Sequence, residues 1–133
     1  MYQVEAAPPS VAEYRALRTA VGWASPDEAV CRQALDATGF AVVARHAGRA
    51  VGMARLIGDG AVYGVVVDVA VHPDHQGAGL GRRMVDALVA RATARGIRTT
   101  VLIAAPDVVP FYEPLGFVTT PDYVMRHAPG SPT

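Results

Sequence analysis

Residues 65–94 read VVVDVAVHPDHQGAGLGRRMVDALVARATA, and no other stretch restricts the fold of this chain as tightly. Val65 to Val71 is a nearly unbroken β-branched run with Asp68 set into it, the pattern of a well-buried strand. A His-Pro break leads through Gln76-Gly77-Ala78-Gly79-Leu80-Gly81 directly into a helical pattern. A strand, a Gly-rich turn and a helix in that order make a place for an anion. Glycines let the backbone approach closely, and the first free N–H groups of the helix point at whatever sits there. A phosphate-bearing ligand suits such a place.

The 133 residues predict a single domain over 1–133, large enough to bury a real core. Net charge is zero, which leaves no basic footprint for nonspecific nucleic-acid binding. All 12 basic residues are arginine, a compositional bias from which no function follows. Cys31 is the one cysteine, so neither an internal disulfide nor a multi-cysteine metal site is available. The first ten residues lack a signal-peptide pattern, and no stretch reaches the length of a membrane span. The expectation is a cytoplasmic domain without membrane or metal partners, with the hydrophobic surplus (51 % of residues) hidden partly in a homodimer interface.

Before the central stretch, Tyr2–Glu5 reads as a short strand, and Ser10 caps a helix to about Ala20 with Val11, Tyr14, Leu17 and Val21 on its apolar face. Ser25-Pro26-Asp27-Glu28 suggests a second helix capped by Ser25, carrying Ala29, Val30, Gln33, Ala34 and Ala37 toward Gly39. Trp23 lies between them, as a plug at the junction or a wall of a substrate pocket. Phe40–His46 and Arg49–Ile57 form a hairpin around Ala47-Gly48, and Ala61–Val71 extends it to a meander. The following helix carries Met84, Val85, Leu88, Val89 and Ala92 on one side, and Ile97–Ala104 returns as a strand parallel to the central one. A short helical piece, Val108–Leu115, precedes two short strands, Phe117–Thr119 and Tyr123–His127, and residues 128–133 read as a frayed, disordered tail. The fold class is α/β, a mostly antiparallel central sheet with one parallel strand-helix-strand crossover.

The loop has no P-loop lysine, and its last glycine falls one position early for a dinucleotide fingerprint. The stretch instead resembles motif A of the GCN5-related N-acetyltransferases (GNAT), whose loop pattern is Gln or Arg, two residues, Gly, one residue, then Gly or Ala. Gln76, Gly79 and Gly81 meet it in full, and FYEPLGF, Phe111–Phe117, resembles that family's C-terminal motif. The similarity extends over residues 10–127. It implies the GNAT fold and acetyl-CoA as cosubstrate. It further implies that the backbone of Val69, Ala70 and Val71 pairs with the pantetheine arm. Gln76, Gly77, Ala78, Gly79, Leu80 and Gly81, with Arg82, then receive the pyrophosphate. Arg82 and Arg83 could equally be solvated helix residues. Gly79 and Gly81 are the sharper expectations, because a Cβ there would restrict the turn and obstruct the phosphate. The Asn that often precedes the family's tyrosine is missing from Ala104-Ala105-Pro106-Asp107, so one anchor of the cofactor arm is unfilled or moved.

The resemblance puts Tyr112 near the thioester sulfur, where a phenol can protonate the departing thiolate. The bland alternative is a core aromatic, the reading also given to Phe111 and Phe117. Asp68 is the one carboxylate in the central strand, facing away from Val67 and Val69 by alternation. It can serve as the base for the attacking amine or orient a neighbouring loop. His72 and His75 flank a proline in the exit loop and read as loop structure, and His46 as an exposed turn residue. Arg18, Trp23, Met53, Arg55 and Asp68 are candidates for the acceptor surface. The acceptor that the resemblance implies is a primary amine of a small molecule or peptide. The competing reading is a noncatalytic acyl-CoA-binding or regulatory domain of the same fold.

Overall fold

The computed structural model describes residues 1–127, and the expected tail at 128–133 lies outside them. The chain divides into two compact units, Met1–Leu102 and Ile103–Thr133. The first holds a five-stranded sheet in sequential order: β1 (Tyr2–Glu5), β2 (Phe40–His46), β3 (Arg49–Gly58), β4 (Tyr63–Val71) and β5 (Thr99–Leu102). Neighbours are antiparallel except β4 and β5, which are parallel, as the sequence predicts. The β2–β3 turn falls at Ala47-Gly48, with φ of 50° and 79°, the doubly positive geometry that matches strand twist in a two-residue hairpin.

Helices α1 (Val11–Ala20) and α2 (Glu28–Asp36) cover one face of the sheet. Ser10 and Glu13 cap α1 reciprocally, Ser10 Oγ accepting from Glu13 N–H and Glu13 Oε1 from Ser10 N–H. Tyr14, Leu17, Cys31, Leu35, Met53 and Ala70 form the core beneath these helices, which makes Cys31 a packing residue. The expected cap of α2 is corrected: Asp27 takes that role by accepting from Val30 N–H. Ser25 lies two residues before that cap, and its hydroxyl donates to the Arg15 carbonyl. The buried stripe shifts with the cap to Cys31 and Leu35, four residues apart, and leaves Val30 exposed.

Helix α3 (Leu80–Arg95) covers the opposite face and buries Leu80, Met84, Val85, Leu88 and Ala92. It packs close because Gly52 of β3 has no side chain: a Cβ there would stand 2.9 Å from Met84 Cε. Among the described residues the second unit contains two 3-10 turns and a single helical turn, α4 (Val109–Tyr112). The two strands expected at 117–119 and 123–127 do not form; these residues pair with no strand, and Val118, Tyr123, Val124 and Met125 are exposed. A short apolar run has strand propensity, but an edge to pair with is a tertiary property.

Candidate active site

β4 departs from regular alternation at its centre. Arg55 pairs with Val67 but Met53 pairs with Ala70, so Asp68 and Val69 together oppose Ala54. Asp68 has φ of 55°, the left-handed region that a non-Gly residue enters at a cost. This bulge corrects the alternation expected for Asp68: the carboxylate swings to the face of the sheet that holds Arg55 and α1.

Four donors meet it there. Oδ1 accepts from Arg18 Nη1 at 2.9 Å. Oδ2 accepts from Tyr14 Oη at 2.5 Å, Arg55 Nε at 2.9 Å and Arg55 Nη2 at 2.8 Å. Arg55 is itself buried and completes its fork on Thr38 Oγ1 at 2.8 Å and the Ala34 carbonyl at 3.3 Å. A carboxylate offers about four acceptor positions; here Oδ2 takes three donors and Oδ1 one. Of the two roles open to Asp68, this geometry favours orientation over proton abstraction. Burial first, then the bond to Asp68, pushes the Tyr14 phenol above its ordinary pKa, so Tyr14 is a fixed donor.

The loop after β4 is organised in the opposite way. Gln76 to Gly79 are exposed, and the backbone N–H groups of Gly77, Ala78, Gly79, Leu80, Gly81 and Arg82 find no acceptor among the described residues. The first bonded N–H of the helix is that of Arg83, to the Gly79 carbonyl at 3.1 Å. Gly79 is the left-handed N-cap, with φ of 78°, and Gly77 has φ of 85°. Gly81 differs from that expectation: it lies in the first turn of α3 with no positive φ, so its backbone does not demand glycine. Arg82 is exposed and lies 3.8 Å from Asp86.

β5 pairs only with Tyr63–Val66, which leaves Val67–Val71 without a strand on that edge in the sheet of the first unit. The Val69 to Val71 backbone is therefore open along one side, apart from the Val71 carbonyl, which accepts from Gln76 Nε2 at 3.1 Å. Ala70 turns its methyl into the core.

Of the acceptor-surface candidates, Met53 is fully buried and Arg55 is consumed by Asp68, Thr38 and Ala34; both are removed from that surface. Trp23 is 38 % exposed, with the Arg18 guanidinium 5.4 Å from its ring centroid. His72 accepts from Asp74 N–H, the loop role expected of it. His46 is not a free turn residue, since its ring packs 4.9 Å from that of Tyr2, whose hydroxyl meets His75 Nδ1 at 3.0 Å. In the second unit Tyr112 packs edge-on against Phe111 and Phe117, and burial raises its phenol pKa. Tyr14 and Thr38 escape sequence reasoning as site residues. Tyr14 reads there as one more apolar-face residue; only the bulge brings the carboxylate to its hydroxyl.

An open β4 edge running into an unpaired helix N-terminus defines an α/β protein with an anion-binding strand-to-helix turn, and comparison with known proteins supplies the family. Residues 37–119 match the family model described as "Acetyltransferase (GNAT) domain", and the chain belongs to that family. A rice protein named serotonin N-acetyltransferase 2, chloroplastic (Oryza sativa subsp. japonica), is 47 % identical over 78 residues, 59 % of this chain and 39 % of the relative. The ycf52-like N-acetyltransferase of Prochlorococcus marinus is 34 % identical over 113 residues, 82 % of this chain and 63 % of the relative. The chain thus spans less than two-thirds of the length of either relative. Among solved structures, a probable acetyltransferase of Staphylococcus aureus superposes with a TM-score of 0.87 at 26 % identity, covering 96 % of this chain and 98 % of that one. AAC(6')-Iy in complex with a CoA-containing bisubstrate analog superposes with a TM-score of 0.77 at 18 % identity, covering 96 % and 98 %, a likeness of fold.

Proposed function

We propose that this protein transfers the acetyl group of acetyl-CoA to a primary amine. The observation that carries the reading is the row of unspent backbone N–H groups from Gly77 to Arg82, presented at a helix N-terminus by a chain of the GNAT family. Several convergent N–H donors and the helix dipole hold a pyrophosphate without any lysine. The open edge at Val69, Ala70 and Val71 offers its outward N–H and C=O groups, the Val71 carbonyl excepted, to the amides of the pantetheine arm. Gln76 braces that turn through the Val71 carbonyl, and Arg82 adds a charge-assisted contact.

The amine nitrogen attacks the thioester carbonyl carbon, the carbon–sulfur bond breaks, and the thiolate takes up a proton. Tyr112 is the acid we assign to that last step, on the strength of the family motif and a phenol that burial keeps protonated at neutral pH. Engaged by four donors, Asp68 holds the bulge in place, and the amine proton leaves to solvent. A homodimer in the cytoplasm completes the proposal; the exposed Val118, Tyr123, Val124 and Met125 favour assembly, and sedimentation velocity checks it.

The test is free-thiol release from acetyl-CoA with a panel of amines, each product weighed by mass spectrometry. Serotonin heads the panel because the rice relative bears that name, followed by an aminoglycoside, a polyamine, an amino acid and a peptide N-terminus. A gain of one acetyl group is expected. Tyr112→Phe should lower kcat by about 10²–10⁴-fold with the acetyl-CoA Kd nearly unchanged; equal losses in both would remove the acid role. Tight acetyl-CoA binding without turnover on any amine would favour the noncatalytic acyl-CoA-binding domain.

A further inference from the structure

The end of β4 remote from the Gln76–Gly81 loop borders a cavity of about 190 Å³. Leu56 and Ile97 give it an apolar floor, and Phe40, Tyr63, Arg91 and Arg95 stand around it. Gly39, Gly58 and Gly60 lie in the lining as well. It is larger than the apolar cavity of about 150 Å³ that takes up a benzene molecule.

Its lining carries two positive charges, Arg91 and Arg95, against one negative, Asp59. The Arg91 guanidinium lies over the Phe40 ring, 5.0 Å from the centroid, and Arg95 Nη2 reaches over the turn at Gly60. Among the described residues neither arginine forms an ion pair. Asp59 is the one carboxylate in the lining, and its Oδ1 already accepts from the N–H groups of Ala61, Val62 and Tyr63. That carboxylate belongs to the turn. A guanidinium fork fixed on an aromatic face is well matched to a planar carboxylate.

We propose that this cavity is a second ligand site, for a single-ring aromatic carboxylate. The ring enters over Leu56 and Ile97 beside Phe40 and Tyr63, and the carboxylate is held by Arg91 and Arg95. The site is separate from the acyl-CoA loop. β4 runs eight residue steps from Tyr63 to Val71, about 26 Å at a strand's rise. Along α3, Leu80 and Arg95 are fifteen steps apart, about 22 Å. Both ligands can therefore be bound at once.

Benzoate is the probe, titrated into the ¹⁵N-labelled protein with and without coenzyme A. Saturable amide shifts are expected at residues 39–40, 58–63 and 95–97, with residues 76–81 unmoved and the benzoate Kd unaffected by coenzyme A. Benzyl alcohol, of similar shape but neutral, should bind at least about tenfold more weakly, a difference of about 1.4 kcal/mol. Arg95→Gln and Arg91→Gln should each weaken benzoate by a similar factor. Both residues are exposed on α3, so an unchanged thermal midpoint will show that the variants fold. Absence of a saturable shift, equal affinity for benzyl alcohol, unaltered binding to both variants, or shifts centred on 76–81 would each overturn the site. Acetyl transfer does not enter these readouts, so this proposal and the enzymatic one fail separately.

Discussion

Asp68 and the Gln76–Gly81 loop sit on the same strand-to-helix connection and treat polar groups in opposite ways. At Asp68 four donors drawn from α1 and β3 engage one carboxylate, three on Oδ2 and one on Oδ1. In the loop it leaves six consecutive N–H groups with no acceptor among the described residues. The first is how a fold fixes geometry: a charge 12 % exposed is stable only when paired on all sides. The second is how a fold prepares to receive a partner, because exposed donors cost little in water and are free to be exchanged. A perturbed or unusual residue is thus not in itself the reacting one. What matters is whether its hydrogen-bonding capacity is already spent.

The largest test of this contrast is Asp68→Asn. It strands Arg18 and Arg55, so a loss of about 3 kcal/mol is expected, or about 10 °C in Tm by calorimetry. A variant that keeps its Tm but loses turnover would return the base role to Asp68. Gly79→Val strikes the loop instead. Left-handed backbone costs a residue with a Cβ about 1–2 kcal/mol, so a Tm drop of a few degrees is expected. The acetyl-CoA Kd should rise at least about tenfold, the Cβ adding obstruction to strain. A folded variant with wild-type affinity would remove the pyrophosphate from this turn.

The smallest effect lies at a surface pair that belongs to neither region. Glu13 is held by Arg45 at 2.7 Å, and chiefly that bond lowers its pKa from 4.5 to about 2. The folded state then binds fewer protons than the unfolded one, so the contribution is complete above pH 4.5 and is lost as pH falls toward 2. Glu13→Gln should lower Tm slightly above that window, and the gap from wild type should close on acidification. A gap independent of pH would mean that the pair contributes through packing alone.

Local chemistry made much of this legible. The Ser10–Glu13 capping box, the Ala47-Gly48 turn, the order of five strands and three main helices, and the Gly-rich entry to α3 all follow from residues a few positions apart. So does the family, because its loop pattern is contiguous. What the sequence could not give was any feature whose partners lie far along the chain. Asp68 meets Tyr14 across 54 residues and Arg18 across 50, and the bulge that turns it toward them interrupts a run whose β-branched residues argue for unbroken strand. Ser25 reads as a cap, yet the cap falls two residues later at Asp27 and the Ser25 hydroxyl reaches the Arg15 carbonyl, ten residues back. Met53 and Arg55 alternate like surface-facing candidates, yet α1 and α2 cover them. Short-range propensity and motif chemistry determined the elements and the anion loop by themselves. Tertiary packing alone decided which polar groups are spent and which stay open, since a hydrogen-bond partner supplied from another element is set by position in space and not by spacing in the chain.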